Sequence, residues 1–258
     1  MKILHYINCY DQKLGGVVQF VGSLCQCLVK TDIQTTLVIG VNINLDKEWI
    51  NPSKSSMLKI HILKSKLGYK SWLTKQNLIE LNKFLIGINV VHLHGAWDIG
   101  NIQLSKILKQ LKIPYIVSPH GMLTDWSLDQ KKIKKSIFLF LLGNRFFKDS
   151  FIVHCTSMKE LNQTKHNIPD GDNFICVPPI VYQDKNVSPD MVFKVFPNIS
   201  KSKFKILFLG RIHPVKGIEA LIESCLELKK YKEKFQMIIA GTGERHYVNE
   251  LKKMVEYK

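Results

Sequence analysis

Leu207-Phe208-Leu209-Gly210-Arg211-Ile212-His213-Pro214-Val215-Lys216-Gly217 reads as a strand that turns sharply into a helix. The apolar run Ile206 to Leu209 supplies the strand. Gly210 gives the backbone freedom to turn, and Pro214 removes a donor just before a helical pattern begins. In that pattern Ile218, Leu221, Ile222, Cys225 and Leu226 fall on one face, suited to cover a parallel sheet. A strand-to-helix turn aims unpaired N–H groups and the positive end of the helix dipole at one spot, and Arg211 and Lys216 add two full charges there. The segment therefore predicts an anion site. Its plain alternative is an ordinary connection carrying two solvated bases.

The same alternation extends upstream. Strands are expected at Lys2 to Ile7, Thr35 to Val41, Lys59 to Leu63, Val90 to His94, Tyr115 to Ser118, Phe151 to Cys155 and Phe174 to Val177. Between them, Val17, Phe20, Val21, Leu24 and Leu28 share a helical face, as do Leu78, Leu81 and Leu85, and then Ile102, Leu104, Ile107, Leu108 and Leu111. Repeated strand–helix order predicts an α/β fold with a doubly wound parallel sheet. Periodicity lapses from Pro178 to about Ser202. It resumes as a strand at Lys205 to Leu209, a helix at Gly217 to Lys230, a strand at Phe235 to Ala240 and a helix from about Arg245. The expected domains are residues 1–180, a linker 181–203, and residues 204–258. Two strands and two helices make half a doubly wound domain and would leave an apolar face uncovered, so the second domain is expected to be incomplete.

The chain has 258 residues and 45% hydrophobic content, enough for sizeable cores. Met1 leads straight into a strand with no basic leader or cleavage site, and no apolar run approaches the ~20 residues of a spanning helix. Six cysteines show no C-x-x-C spacing and lie in apolar patterns, as free thiols do in a reducing cytosol, so neither disulfides nor zinc is expected. The formal charge of +16 points to anionic partners. Nucleic acid is set aside, because no recognition motif accompanies the lysines.

Further motifs are Leu14-Gly15-Gly16 before the first helix, Val91-His92-Leu93-His94-Gly95-Ala96-Trp97, Ser118-Pro119-His120-Gly121-Met122-Leu123, and Ile238-Ile239-Ala240-Gly241-Thr242-Gly243. Gly15-Gly16 lets a backbone approach a ligand and offer N–H groups. His120 follows a strand at the carboxyl edge, where open α/β sheets bind ligands. His92 and His94 are expected on opposite faces of their strand, one toward a cleft and the other structural, with no carboxylate beside them to complete a metal site. Asp170-Gly171-Asp172 reads as a solvated turn, and Ser157 with Glu160 as a capping box. The basic and apolar segment 131–148 fits either a helix lying on an anionic membrane or a core-packed helix with a solvated basic end.

Taken in order, these motifs resemble retaining glycosyltransferases of family 4, whose GT-B architecture sets two Rossmann-like domains face to face around the active site. The resemblance spans the whole chain. It implies donor diphosphate binding by Gly15, Gly16, Arg211 and Lys216, a catalytic His120 contacting the transferred sugar, and cleft positions for His94, Gly121 and Gly241. It also implies a nucleotide diphosphate-sugar donor, a glycan or lipid-linked acceptor, no metal or other cofactor, and work at the cytoplasmic face of a bacterial membrane in cell-surface polysaccharide assembly. Two departures stand out. Nothing after Gly243 matches the family's E-x7-E element, so a truncated chain is expected, inactive as it stands. The family's Pro-Asn-Gly position is Pro178-Pro179-Ile180. The alternatives are a GT-B sugar-nucleotide epimerase and a non-catalytic phosphosugar- or membrane-binding module.

Overall fold

The computed structural model describes residues 1–11, 16–44, 57–63, 72–168, 173–180, 190–231 and 233–256. The chain divides into two compact units, Met1–Tyr182 and Gln183–Lys258. In the first unit, β1 (Lys2–Asp11), α1 (Gly16–Lys30), β2 (Gln34–Asn44), β3 (Leu58–Ile62), α2 (Lys75–Phe84), β4 (Val90–His94), α3 (Ile99–Gln110) and β5 (Tyr115–Ser118) follow in order. After them come α4 (Asp125–Asp129), α5 (Lys132–Phe138), a π-helical turn (Leu139–Gly143), α6 (Asn144–Lys148), β6 (Ile152–Cys155), α7 (Met158–Asn167) and β7 (Phe174–Cys176). The seven strands form one parallel sheet ordered β3-β2-β1-β4-β5-β6-β7. The order reverses between β1 and β4, and the carboxyl ends of strands flanking such a reversal open a crevice for a ligand.

Both sheet faces are covered, which is why the strands are nearly continuous apolar runs. One core joins α1 through Val18, Val21 and Cys25 to Ile7, Leu37 and Ile39. The other gathers Leu81, Leu104, Leu108 and Phe147 against Leu4, Val91, Leu93 and Val117. Three strands, Val90–His94, Tyr115–Ser118 and Phe235–Ala240, have the expected bounds, because each is a β-rich run closed by glycine, proline or polar residues.

The second unit holds α8 (Asp190–Val195), β8 (Phe204–Leu209), α9 (Ile218–Glu227), β9 (Phe235–Ala240) and α10 (Arg245–Glu256). β8 and β9 pair in parallel, and Ile218, Ile222, Tyr247 and Leu251 bury against Phe208, Met237 and Ile239. On the opposite face Leu207 and Leu209 are 59% and 77% exposed. The short α8 falls inside the stretch read as aperiodic. Its six residues are too few for a periodic signal, and none of them is buried.

Candidate functional site

The crevice at the strand reversal is lined by imidazoles. His5 on β1 stands in register with His92 on β4, and His94 closes β4. His120 follows β5 and His154 lies on β6. His92 and His94 were expected on opposite strand faces. Instead their ring centroids are 4.2 Å apart, because side chains alternate with a period of two and residues i and i+2 share a face. His5 Nδ1 lies 3.1 Å from His94 Nε2, and His94 Nδ1 lies 3.0 Å from His120 Nε2. A second line runs from His92 Nε2 to Ser118 Oγ at 2.7 Å, on to His154 Nδ1 at 2.8 Å, and from His154 Nε2 to the carbonyl of Val177 at 2.9 Å. The ring of Phe20, on the first turn and a half of α1, packs on His94, His120 and His154.

Local sequence explains why His120 sits where it does. The amide of Met122 donates to the carbonyl of Pro119 at 3.1 Å, closing a turn whose central residues His120 and Gly121 both have positive φ, 53° and 75°. Glycine takes that conformation freely; a histidine there stores strain that surrounding contacts must hold. The contacts are His94 behind the ring and the buried Glu160 beneath the loop. Glu160 Oε1 accepts the amide of Gly121 at 2.6 Å, and Oε2 accepts the amide and hydroxyl of Thr156, each at 2.7 Å. The expected capping box at Ser157 and Glu160 is therefore half made. Ser157 Oγ accepts the Glu160 amide at 3.2 Å, while the Glu160 carboxylate reaches across to the His120 loop. Beside β4, Asn101 Nδ2 donates to the carbonyls of His94 and Gly95, each at 3.0 Å, fixing the turn that ends the strand.

Burial sets the charge state. It pushes His5 and His120 down to about 4 and His92 and His94 well below the usual imidazole range, and crowding by other imidazoles adds to the last two. For His120 the Glu160 carboxylate pulls the other way without winning. The ring nitrogens of His5, His92 and His94 lie within 4.8 Å of one another, near enough to surround a cation. His5 Nδ1 and His94 Nε2, 3.1 Å apart, are instead placed to share a proton, and no carboxylate in that group offsets a buried double charge. We therefore treat the rings as hydrogen-bonded imidazoles. Next to them a pocket of about 410 Å³ is lined by His120, Gly121, Trp126, Thr156, Lys159 and Glu160, among others.

In the second unit, Arg211 precedes and Lys216 ends a one-turn 3₁₀ helix at Pro214–Lys216, and both side chains are exposed. His213 Nδ1 accepts the amide of Val215 at 3.3 Å, and Gly217, with φ of 62°, leads into α9. The helix thus starts at Ile218, four residues beyond Pro214, with the extra turn between. Gly241 has a packing role: a Cβ there would overlap the carbonyl oxygen of Gly210. The loops after β8 and β9 zip together there, Gly210 N–H donating to the Ala240 carbonyl at 3.0 Å and Ile212 N–H to Thr242 at 2.8 Å.

Of the positions read from sequence, His94, His120 and Gly121 come together in the first unit, where Gly16 opens α1 with no atom near its Cα substituent position. Arg211 and Lys216 share one turn of the second unit. Gly15 and Asp170-Gly171-Asp172 lie outside the described residues. Sequence reasoning missed His5, His154, Ser118, Phe20 and Glu160. The available signal was a histidine on each of three strands that the topology makes near neighbours.

Residues 14–183 match the family described as Glycosyltransferase Family 4, and residues 190–257 match Glycosyl transferases group 1. Among curated proteins none matches the sequence. The fold resembles that of Anabaena HepE, solved with UDP and glucose, at 15% identity and a TM-score of 0.69, covering 100% of this chain and 66% of that one. Sucrose-phosphate synthase from Thermosynechococcus elongatus aligns at 14% identity and TM-score 0.70, covering 99% and 66%. WaaG, a glycosyltransferase involved in lipopolysaccharide biosynthesis, aligns at 11% and 0.64, covering 99% and 68%. The chain thus spans 66% of the length of HepE and of the synthase, and its α/β fold is of the GT-B type, with two strands in the sheet of the second unit. With a match over most of its length, this chain belongs to Glycosyltransferase Family 4.

Proposed function

We propose that the protein transfers a sugar from a nucleotide diphosphate-sugar to a glycan or lipid-linked acceptor, with retention at the anomeric carbon, in bacterial cell-surface polysaccharide assembly. The observation that carries the reading is the Gly210 to Gly217 turn, where two exposed cations stand at the start of a helix. As the bond between sugar and phosphate breaks, negative charge grows on the leaving diphosphate. Arg211 and Lys216 stabilise that charge more than they stabilise the bound donor, which lowers the barrier without a metal ion. Gly15 and Gly16 offer backbone donors to the diphosphate, and His120 meets the transferred sugar. HepE, solved with UDP and with glucose, supports a uridine donor among the first to try.

The likeness to WaaG supports lipopolysaccharide or a related surface glycan as the destination. No helix among the described residues is long and apolar enough to cross a membrane. A peripheral seat on the inner leaflet is offered by the segment 131–148. Its inner face, Leu139, Phe146 and Phe147, is buried, while Ile133, Ile137, Phe140 and Leu141 form an exposed stripe beside Lys131, Lys132 and Lys134. Lys135 is turned inward, donating to Ser127 and lying over the Trp97 ring.

A second reading, a module that binds phosphosugar or membrane without catalysis, is favoured by the exposed apolar stripe Ile133, Ile137, Phe140 and Leu141 beside Lys131, Lys132 and Lys134. Incubation with a panel of sugar nucleotides and lipid-linked acceptors, with product analysis by mass spectrometry, decides between them. Glycosylated acceptor supports transfer, donor binding with no product supports the module, and an isomerised donor would point to an epimerase.

A further inference from the structure

Two lines of hydrogen bonds cross the crevice, and they end differently. The line that starts at His92 terminates on the carbonyl of Val177, which can only accept. His154 Nε2 must therefore carry the proton. In an uncharged His154 the Nδ1 atom is then an acceptor for the Ser118 hydroxyl, and Ser118 Oγ accepts from His92 Nε2. Every proton on this line has one place.

The other line, His5 to His94 to His120, ends at His5 Nε2, which is buried with no hydrogen-bond partner. An uncharged His94 has one N–H, so it accepts on one side and donates on the other, and both junctions must run in the same direction. If they run outward, His5 and His94 each donate from Nδ1 and His120 keeps a proton on its own Nδ1. If they run inward, His120 gives its proton to His94, its Nδ1 is a bare lone pair, and His5 is left with an orphaned buried N–H. Orphaned buried donors are rarer in folded proteins than under-used acceptors.

We propose that His5 and His94 are positioning residues that hold His120 in the tautomer protonated at Nδ1, so that His120 acts toward its ligand as a hydrogen-bond donor and not as a base. The assignment deepens the reading of His120 as the residue that meets the sugar, and it rests on that reading for its use. The direction of the line is set at its far end: the unpartnered nitrogen of His5 decides what a ring two residues away in the chain of contacts can offer.

The test is a long-range ¹H–¹⁵N correlation spectrum of the full chain at pH 7 with ¹⁵N-labelled histidine, each ring assigned by single substitution. His5, His94 and His120 are expected protonated at Nδ1, and His92 and His154 at Nε2. A His120 signal protonated at Nε2 or at both nitrogens overturns the assignment, as does a metal-coordinated pattern on His5, His92 and His94. In H5D the carboxylate can only accept, so the line reverses and the His120 proton moves to Nε2; an unmoved proton would count against control by His5. Should H5D fail to fold, the unmodified protein's spectrum decides alone. Because the spectrum needs no turnover, the expected tautomers without sugar transfer would sink the proposed function and leave the relay standing, and transfer with a reversed line would do the opposite.

Discussion

At the scale of single residues, the chain concentrates its chemistry in side chains whose neighbours fix what they can do. Lys216 is exposed at the end of a short turn, with Gly217 behind it in the left-handed region. Among the described residues its ammonium group makes no hydrogen bond or ion pair, so Lys216→Ala should leave the melting temperature unchanged. In a form that turns over, the rate should fall by about 10²–10³, the usual cost of one preorganised charge donor. Steady-state kinetics beside a thermal melt separates the two effects, and an unchanged rate would remove Lys216 from the site. Gly241 is the contrasting case. Its hydrogen atom faces the Gly210 carbonyl, so Gly241→Ala forces backbone apart and should destabilise the second unit by roughly 2 kcal/mol or more, read from denaturant melts. On the proposed function the lysine acts through its charge, whereas the glycine is needed for space.

At the scale of elements, the basic segment has one face in the core and one open to the membrane seat proposed above. α5, the π turn and α6 together place Leu139, Phe146 and Phe147 inward, where they anchor against the sheet. The outer stripe remains, with Ile133 at 77% and Phe140 at 81% exposure. Lysines near an anionic surface contribute about 1 kcal/mol each, and the stripe adds apolar insertion that salt does not screen. Ile137→Asp combined with Phe140→Asp is therefore expected to abolish sedimentation with phosphatidylglycerol vesicles while leaving the fold intact. High salt should weaken the unmodified protein's binding only in part. Full loss in salt would reduce the stripe to a bystander.

At the scale of the whole molecule, the buried imidazoles link stability to acidity. His5 and His120 titrate near 4 when folded and near the ordinary 6.5 when unfolded. Between those values the unfolded chain binds more protons, so stability is complete above about pH 6.5 and falls as the pH is lowered toward 4. His92 and His94 shift in the same direction and deepen the loss. Melting temperature measured from pH 7.5 down to 4.5 should drop steeply in that window, and His5→Leu, which removes one such group, should flatten the slope. A melt independent of pH would mean the rings are already charged or already open to water.

The fold was legible because its signal is local and repeated. Alternating apolar strands and amphipathic helices need only the covalent order of the chain, and each unit folds to bury them. The Arg211 to Lys216 turn was legible for the same reason: strand, glycine, cations and helix are adjacent in sequence. The histidine crevice was not. His5, His92, His120 and His154 are separated by tens of residues, and only the strand order β1-β4-β5-β6 makes them neighbours. Hydrogen-bond direction lies further from sequence still, since it depends on which ring nitrogen finds a partner after packing. Composition and periodicity determined the sheet and its covering helices. Tertiary structure alone decided which imidazole faces which, because proximity across parallel strands is a property of topology and no residue encodes it by itself.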